Sequence, residues 1–412
     1  MLTDNSQLKR TLSLPVVTLY GLGTIIGAGI YVLIGEVAAH AGYLTPLAFL
    51  LAALIAGFSA FSYAELSSRF PVSAGEAVYV QRAFGVRAWS TVIGLLMASV
   101  GIIASATLAR GFSGYLDYIL PLDPALSMTL LVLILGAVAA WGISESAWLA
   151  VVTTLVEIGG LLLIVWVAGE NLTELPDLVA SGLELSDGPA WQQVAAGAFI
   201  AFFAFLGFED IVNVGEEVRN PSRNLPLAVI LSLLISALLY LAITLVSVAT
   251  VPPGELAGNP APLALVYESA VGSSPLFIVL VSIAAIVNGI LIMLVMATRI
   301  LYGMSRQEWL PARLCRVSPV THTPLFSTLL VTLLILAFAL WLPIATLAAA
   351  TSLITLVVFF SVNLSLLTIR WRDGKSSEPP PDIVRYPIGL PVAGLLSSGA
   401  FLLVQLANWM GT

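Results

Sequence analysis

Eleven apolar stretches, each about as long as a bilayer is thick, constrain this chain more than any other feature. A helix needs about 20 apolar residues to cross roughly 30 Å of hydrocarbon. Stretches of that kind, bounded by charges, prolines and glycines, lie near residues 16–38, 45–67, 88–118, 125–143, 146–168, 191–213, 226–251, 275–303, 324–342, 344–370 and 387–409. Only 9% of the residues are charged and 59% are hydrophobic, against about 25% charged in a soluble domain. The expectation is an all-α integral membrane protein, and a water-soluble fold is excluded. The polar N-terminal segment runs into the first stretch with no clear cleavage site, so that stretch is read as a retained span.

The basic residues are sorted by loop. With a cytoplasmic N-terminus, Lys9, Arg10, Arg69, Arg82, Arg87, Arg219, Arg223, Arg299, Arg306, Arg313, Arg316, Arg370, Arg372, Lys375 and Arg385 all fall in or beside inner loops. Arg110 alone falls on the outer side. Lysine and arginine stay cytoplasmic in short loops, and a frame error of one span would scramble this segregation. The pattern therefore supports eleven spans and puts the C-terminus outside. The outer loops at residues 169–190 and 252–274 carry no Lys or Arg, and PLALVYES in the second suggests a partly helical external cap, a plain flexible loop being the other reading. Cys315, His40 and His322 offer no disulfide, metal cluster or cofactor site. Nothing points to nucleic acid.

Two spans read as broken. Span 1 contains Gly21, Gly23, Gly27 and Gly29, which lowers helical preference at mid-membrane depth and predicts a break near Gly27 to Gly29. Close helix packing is the other reading of such glycines. Span 6 reads FFAFLGFED at residues 202–210, a glycine and two carboxylates inside an apolar run. Unpaired backbone groups cost several kcal/mol each in lipid, so a broken helix survives only where it is buried or lines a cavity. Interrupted helices in corresponding halves point to a midplane binding site.

These residues resemble the amino acid-polyamine-organocation transporter family. GTIIGAGIY in span 1 is similar to that family's glycine-rich signature. Tyr63-Ala64-Glu65-Leu66, Pro71, Ala74-Gly75-Glu76, Tyr79, Arg82, Phe84 and Gly85 resemble the next block. FFAFLGFEDIVNVGEEVRNPSRNLP (202–226) and RILYGMSR (299–306) with Leu310-Pro311 supply two more. The resemblance implies two inverted five-helix repeats, residues 1–168 and 169–370, followed by a cytoplasmic loop and C-terminal helix at 371–412. It also implies secondary transport of an amino acid. Two departures stand out: members commonly have twelve helices, and Glu157 stands in span 5 where some proton-coupled relatives carry a lysine.

An amino acid substrate presents a carboxylate and an ammonium. The backbone N–H groups of Gly27, Ala28 and Gly29 at a half-helix N-terminus suit the first. Freed carbonyls near Thr24, Ile25, Phe203 and Leu206 suit the second. Phe203 and Phe208 are candidate aromatic covers, packing being the other reading. Intramembrane carboxylates are functional candidates by default, which singles out Glu157 and Glu209 for coupling or gating by a proton or sodium ion. Asp210 reads as structural, and Glu65 as half of an i,i+4 pair with Arg69. A neutral zwitterionic substrate is expected, with a cationic amino acid or polyamine as the alternative. The expected partners are that substrate, the coupling ion and membrane lipid, and the expected state is a monomer or homodimer in the cell membrane. A channel, a membrane enzyme and a transporter-like sensor are the competing classes.

Overall fold

The computed structural model describes residues 10, 12–27, 29–71, 75–141, 147–184, 190–321, 323–374 and 383–410. Lys9, Ala28, Asp187, His322 and Lys375 lie outside the described residues, as does the side chain of Glu216. Apart from one isolated parallel bridge between Leu12 and Val218, the regular structure among the described residues is helical.

Among the described residues the apolar helices fall in the order of the eleven expected spans. Span 1 is α1 (Leu14–Ile26) followed by α2 (Gly29–Ala41), and span 2 is α3 (Thr45–Arg69). A short helix, α4 (Gly75–Phe84), precedes span 3, α5 (Arg87–Asp117). Spans 4 and 5 are α6 (Pro124–Trp141) and α7 (Ala147–Ala168). After α8 (Leu175–Glu184), span 6 begins as α9 (Ala190–Ala201) and continues through 3-10 turns at Phe202–Phe205 and Phe208–Glu217. Span 7 is α10 (Pro221–Thr250); α11 (Pro253–Gly258) and α12 (Pro262–Val271) form the expected partly helical cap. Spans 8 to 11 are α13 (Leu276–Arg306), α14 (Leu325–Trp341), α15 (Ile344–Asp373) and α16 (Gly389–Met410). This is a multi-pass membrane protein. Among the described residues eight apolar segments are long enough to cross, Leu14–Arg69 holding two crossings, while α14 and α16 are shorter apolar helices.

One boundary differs from expectation for a local reason. Span 7 starts at Pro221 rather than Pro226, because Asn220 takes a left-handed turn (φ 47°) and Pro221 occupies the first turn, where its missing N–H costs nothing. Pro226 is carried inside the helix. Between spans 2 and 3, Gly75–Phe84 is an amphipathic helix with Tyr79 and Val80 turned inward.

Spans 1 and 6 sit at the centre. Span 6 is the most enclosed of the long apolar segments, whereas α6 is the least and shows Leu130, Leu133 and Ile134 to the exterior. The α13–α5, α10–α3 and α1–α10 pairs pack most extensively around the two broken spans. Small residues make close approach possible. A Cβ at Gly111 would collide with Val32, and one at Gly197 with Ala41. Close backbone approach of this kind drives association where lipid removes the hydrophobic force between helices.

Candidate functional site

Both breaks occur inside the bundle. In span 1, α1 ends at Gly27, whose N–H donates to the Gly23 carbonyl at 3.1 Å, and α2 restarts at Gly29. In span 6, Leu206 is extended (ψ 147°) and Gly207 has φ 120°, a conformation that only glycine adopts without strain. The two breaks interlock. The Thr24 hydroxyl lies 2.9 Å from the Gly207 carbonyl and 2.9 Å from that of Gly21, so its proton bridges the two broken spans. A Cβ at Gly207 would fall 2.5 Å from the Thr24 carbonyl oxygen, and one at Gly29 would fall 2.8 Å from Cα of Ala204. Gly29 is thus glycine because span 6 packs against it. At Gly27 a Cβ would meet only the carbonyls of its own helix.

Tyr240 of α10 closes the arrangement. Its hydroxyl reaches the carbonyl oxygens of Ile25 at 2.7 Å and Ala204 at 3.0 Å, one freed by each break. The Phe203 carbonyl accepts from the Leu206 N–H at 3.1 Å, so it is partly satisfied within its own turn. Phe203 is buried without a ring partner among the described contacts, whereas Phe208 packs against Tyr63 (5.5 Å) and Phe359 (5.2 Å). Phe208 therefore belongs to an aromatic cluster with Tyr63 and Phe359, and Phe359 also packs on Phe202 at 5.7 Å.

Glu157 of α7 is 1% exposed, and neither carboxyl oxygen makes a hydrogen bond among the described residues. Around it stand Tyr31, whose hydroxyl donates to the Glu157 carbonyl at 2.8 Å, and Asn288 of α13, 3.5 Å from the Thr153 hydroxyl. The Tyr115 hydroxyl donates to the Tyr31 carbonyl at 2.7 Å, tying α2 to α5. Span 5 thus places an acid between spans 1 and 8. Glu209 lies directly behind the other break and accepts the Gly207 N–H at 2.9 Å.

A family profile described as "Amino acid permease" matches residues 12–411, nearly the whole chain. The chain belongs to this family. Among relatives of this family member, a mitochondrial cationic amino acid transporter of Arabidopsis thaliana is 32% identical over 94% of this chain and 65% of its own length. A branched-chain amino acid permease of Bacillus subtilis (strain 168) is 28% identical over 99% of this chain and 90% of its own. The chain spans just under two thirds of the length of the plant relatives it matches. Among solved structures, a Na+-coupled sialic acid symporter in a substrate-bound outward-open state superimposes with a TM-score of 0.64, covering 97% of this chain and 91% of that one. At 15% identity this likeness shows the fold alone.

Other charged residues of this amino acid permease family member hold the ends of spans together. Arg69 reaches Glu65 at 2.7 Å, the pair expected from i,i+4 spacing, but Arg370 of α15 also binds Glu65, and Arg69 binds Asp373 at 2.5 Å. Arg110 docks on the Leu340 carbonyl at the end of α14, at 3.2 Å. At the exit of span 6, Leu12 exchanges backbone hydrogen bonds with Glu217 and Arg219 (3.0 and 2.9 Å), clamping the segment before α1 to it. Sequence reading missed Tyr240. Its signal was present, since a buried phenol hydroxyl in an apolar span must find an acceptor. It also missed Asn363, which binds Ser59 and Ser62 of α3 (2.9 and 2.5 Å).

Proposed function

We propose that this chain is a secondary active transporter of amino acids that works by alternating access, with proton or sodium coupling. The observation that supports it most is the pair of interlocked breaks inside the bundle, where the Thr24 hydroxyl of span 1 meets the Gly207 carbonyl of span 6. A half-helix N-terminus favours a carboxylate, and carbonyls favour an ammonium. Gly27, Ala28 and Gly29 would supply the carboxylate side, and Thr24, Ile25, Phe203 and Leu206 the ammonium side, with Phe203 as cover. Glu157 would take up the coupling ion, and Glu209 would govern opening of the span 6 break. In this reading residues 1–168 and 169–370 are inverted repeats, the N-terminus is cytoplasmic, and the protein works as a monomer or homodimer in the cell membrane.

The apolar and aromatic surroundings of the break support a neutral zwitterionic substrate. A cationic amino acid is the second reading, supported by the named activity of the plant relative and by Glu209 and Asp210 just behind Gly207. Uptake of labelled leucine and arginine into proteoliposomes under imposed pH or sodium gradients tests all of this. Saturable uptake inhibited by amino acids but not by their decarboxylated amines supports the carboxylate role of the α2 N-terminus; equal competition by the amines refutes it. Glu157→Gln keeps nearly the same shape, so it is expected to retain exchange and lose accumulation against a gradient. Unchanged accumulation would remove Glu157 from coupling.

A further inference from the structure

Behind the span 6 break, Glu209 and Asp210 face a third acid, Glu76 of α4, to which the transport reading gives no role. Glu76 opens α4, and the first turn of α4 is wedged against span 6: a Cβ on Gly75 would sit 2.6 Å from the Val212 side chain. Glu209 and Asp210 follow Gly207 on the facing segment. The three carboxyls lie within electrostatic reach of one another. All three are at least nine-tenths buried, at 5%, 2% and 4% exposure.

Their lack of partners is the second observation. Both oxygens of Asp210 and Oε1 of Glu76 make no hydrogen bond, and Glu209 spends one oxygen on the Gly207 N–H. Two buried phenol hydroxyls stand unpartnered in the same place. Tyr63 of α3 faces the Glu76 carboxyl without a hydrogen bond of good geometry, and Tyr79 of α4 lies next to it, the rings 6.4 Å apart. From α15 the ring of Phe359 lies 5.3 Å from Tyr63, and Arg372 reaches α4, donating to the Arg82 carbonyl. Arg82 of α4 lies over Phe70 at 5.7 Å. Among the described residues no ion pair reaches any of the three acids.

Three ionised carboxylates cannot share a dry site without a counter-charge, because desolvation and mutual repulsion both oppose it. Among the described residues no three acidic or imidazole groups converge closely enough to hold a metal ion. A proton on a carboxyl removes its charge without needing a coordination shell. We propose that Glu76, Glu209 and Asp210, together with the hydroxyls of Tyr63 and Tyr79, form a proton-binding site between α4 and the span 6 break, holding at least two protons while the break is closed. Burial pushes the Glu76 carboxyl up to about 7, which places part of this proton load where it exchanges near neutral pH. A displacement of α4 from span 6 would open the site to water and discharge it. That consequence for transport rests on the proposed function above, but proton binding itself does not.

Infrared difference spectroscopy on the full-length protein in lipid, without substrate, tests the site directly. Between about pH 6 and about pH 9 the wild type is expected to lose protonated-carboxyl absorption, with a component near pH 7. Glu76→Gln should remove one carboxyl's share of that change, and Glu76→Asp should retain it. Absence of the absorption in the wild type, or an unchanged spectrum in Glu76→Gln, overturns the proposal. Loss of the absorption on adding sodium at constant pH would also overturn it, because the site would then take a metal cation. If Glu76→Gln fails to fold, Asp210→Asn carries the same expectation and the same refutation. Failure of uptake in proteoliposomes would sink the transport reading while leaving this spectrum interpretable.

Discussion

The hydroxyl of Thr24 in span 1 lies 2.9 Å from the carbonyl oxygen of Gly207 in span 6, joining the two places where the membrane helices come apart. Each break leaves backbone groups unpaired in a medium without water, and each is stabilised by the other. Tyr240 adds a third contact from α10, reaching a carbonyl on both sides. The two breaks are thus one structural unit, so a change at either should be felt at both.

Gly207→Ala places a Cβ against the Thr24 carbonyl and forces a non-glycine residue to φ 120°. Strain of this kind costs about 1–3 kcal/mol before the collision is counted. The variant is expected to melt several degrees lower in detergent and to lose uptake. Gly159→Ala, which meets nothing within 4 Å, should melt no lower than the wild type. A Gly207→Ala protein with wild-type melting would show that the closed contact with Thr24 does not exist.

Tyr240→Phe removes one hydroxyl and leaves the carbonyls of Ile25 and Ala204 without their donor. An unsatisfied buried acceptor costs about 1–3 kcal/mol. The ring still packs on Phe205 at 5.0 Å, so the protein should reach the membrane. Its substrate affinity and uptake rate should fall by at least about fivefold, the equivalent of about 1 kcal/mol. Binding and uptake curves measured side by side decide this.

Glu65 is fully buried between Arg69 and Arg370. Removing one partner of a buried ion pair costs about 3–5 kcal/mol, so Glu65→Gln should destabilise strongly. Asp373 is 30% exposed, and Asp373→Asn should cost under about 1 kcal/mol. Melting of the two single variants against the wild type measures the difference, and equal losses would contradict the burial argument.

Stability should also vary with pH through Glu76. Its folded-state carboxyl is raised to about 7 by burial, above its value in an unfolded chain. A raised acid favours folding while protonated, so the contribution is present in full below the unfolded value and lost as pH rises through about 7. Melting temperature is expected to fall from about pH 6 to about pH 8 in the wild type, and to fall less in Glu76→Gln. Equal pH dependence in the two proteins would show that Glu76 is not the titrating group.

Some of this protein was legible from its residues because membrane burial imposes rules that act along the chain. The number and order of the spans follow from apolar length. The break in span 1 follows from Gly27 and Gly29, and that in span 6 from Gly207 beside Glu209 and Asp210, because glycine and charge inside an apolar run have few alternatives. What occupies the space around each break is a property of distant segments, and only the tertiary structure decided it. Gly29 is glycine because Ala204 lies against it, Phe208 packs on Phe359 from a span about 150 residues away, and Glu65 meets Arg370 as well as its helical neighbour Arg69. Those contacts come from close packing between helices far apart in sequence, where no periodicity along the chain records which faces will meet.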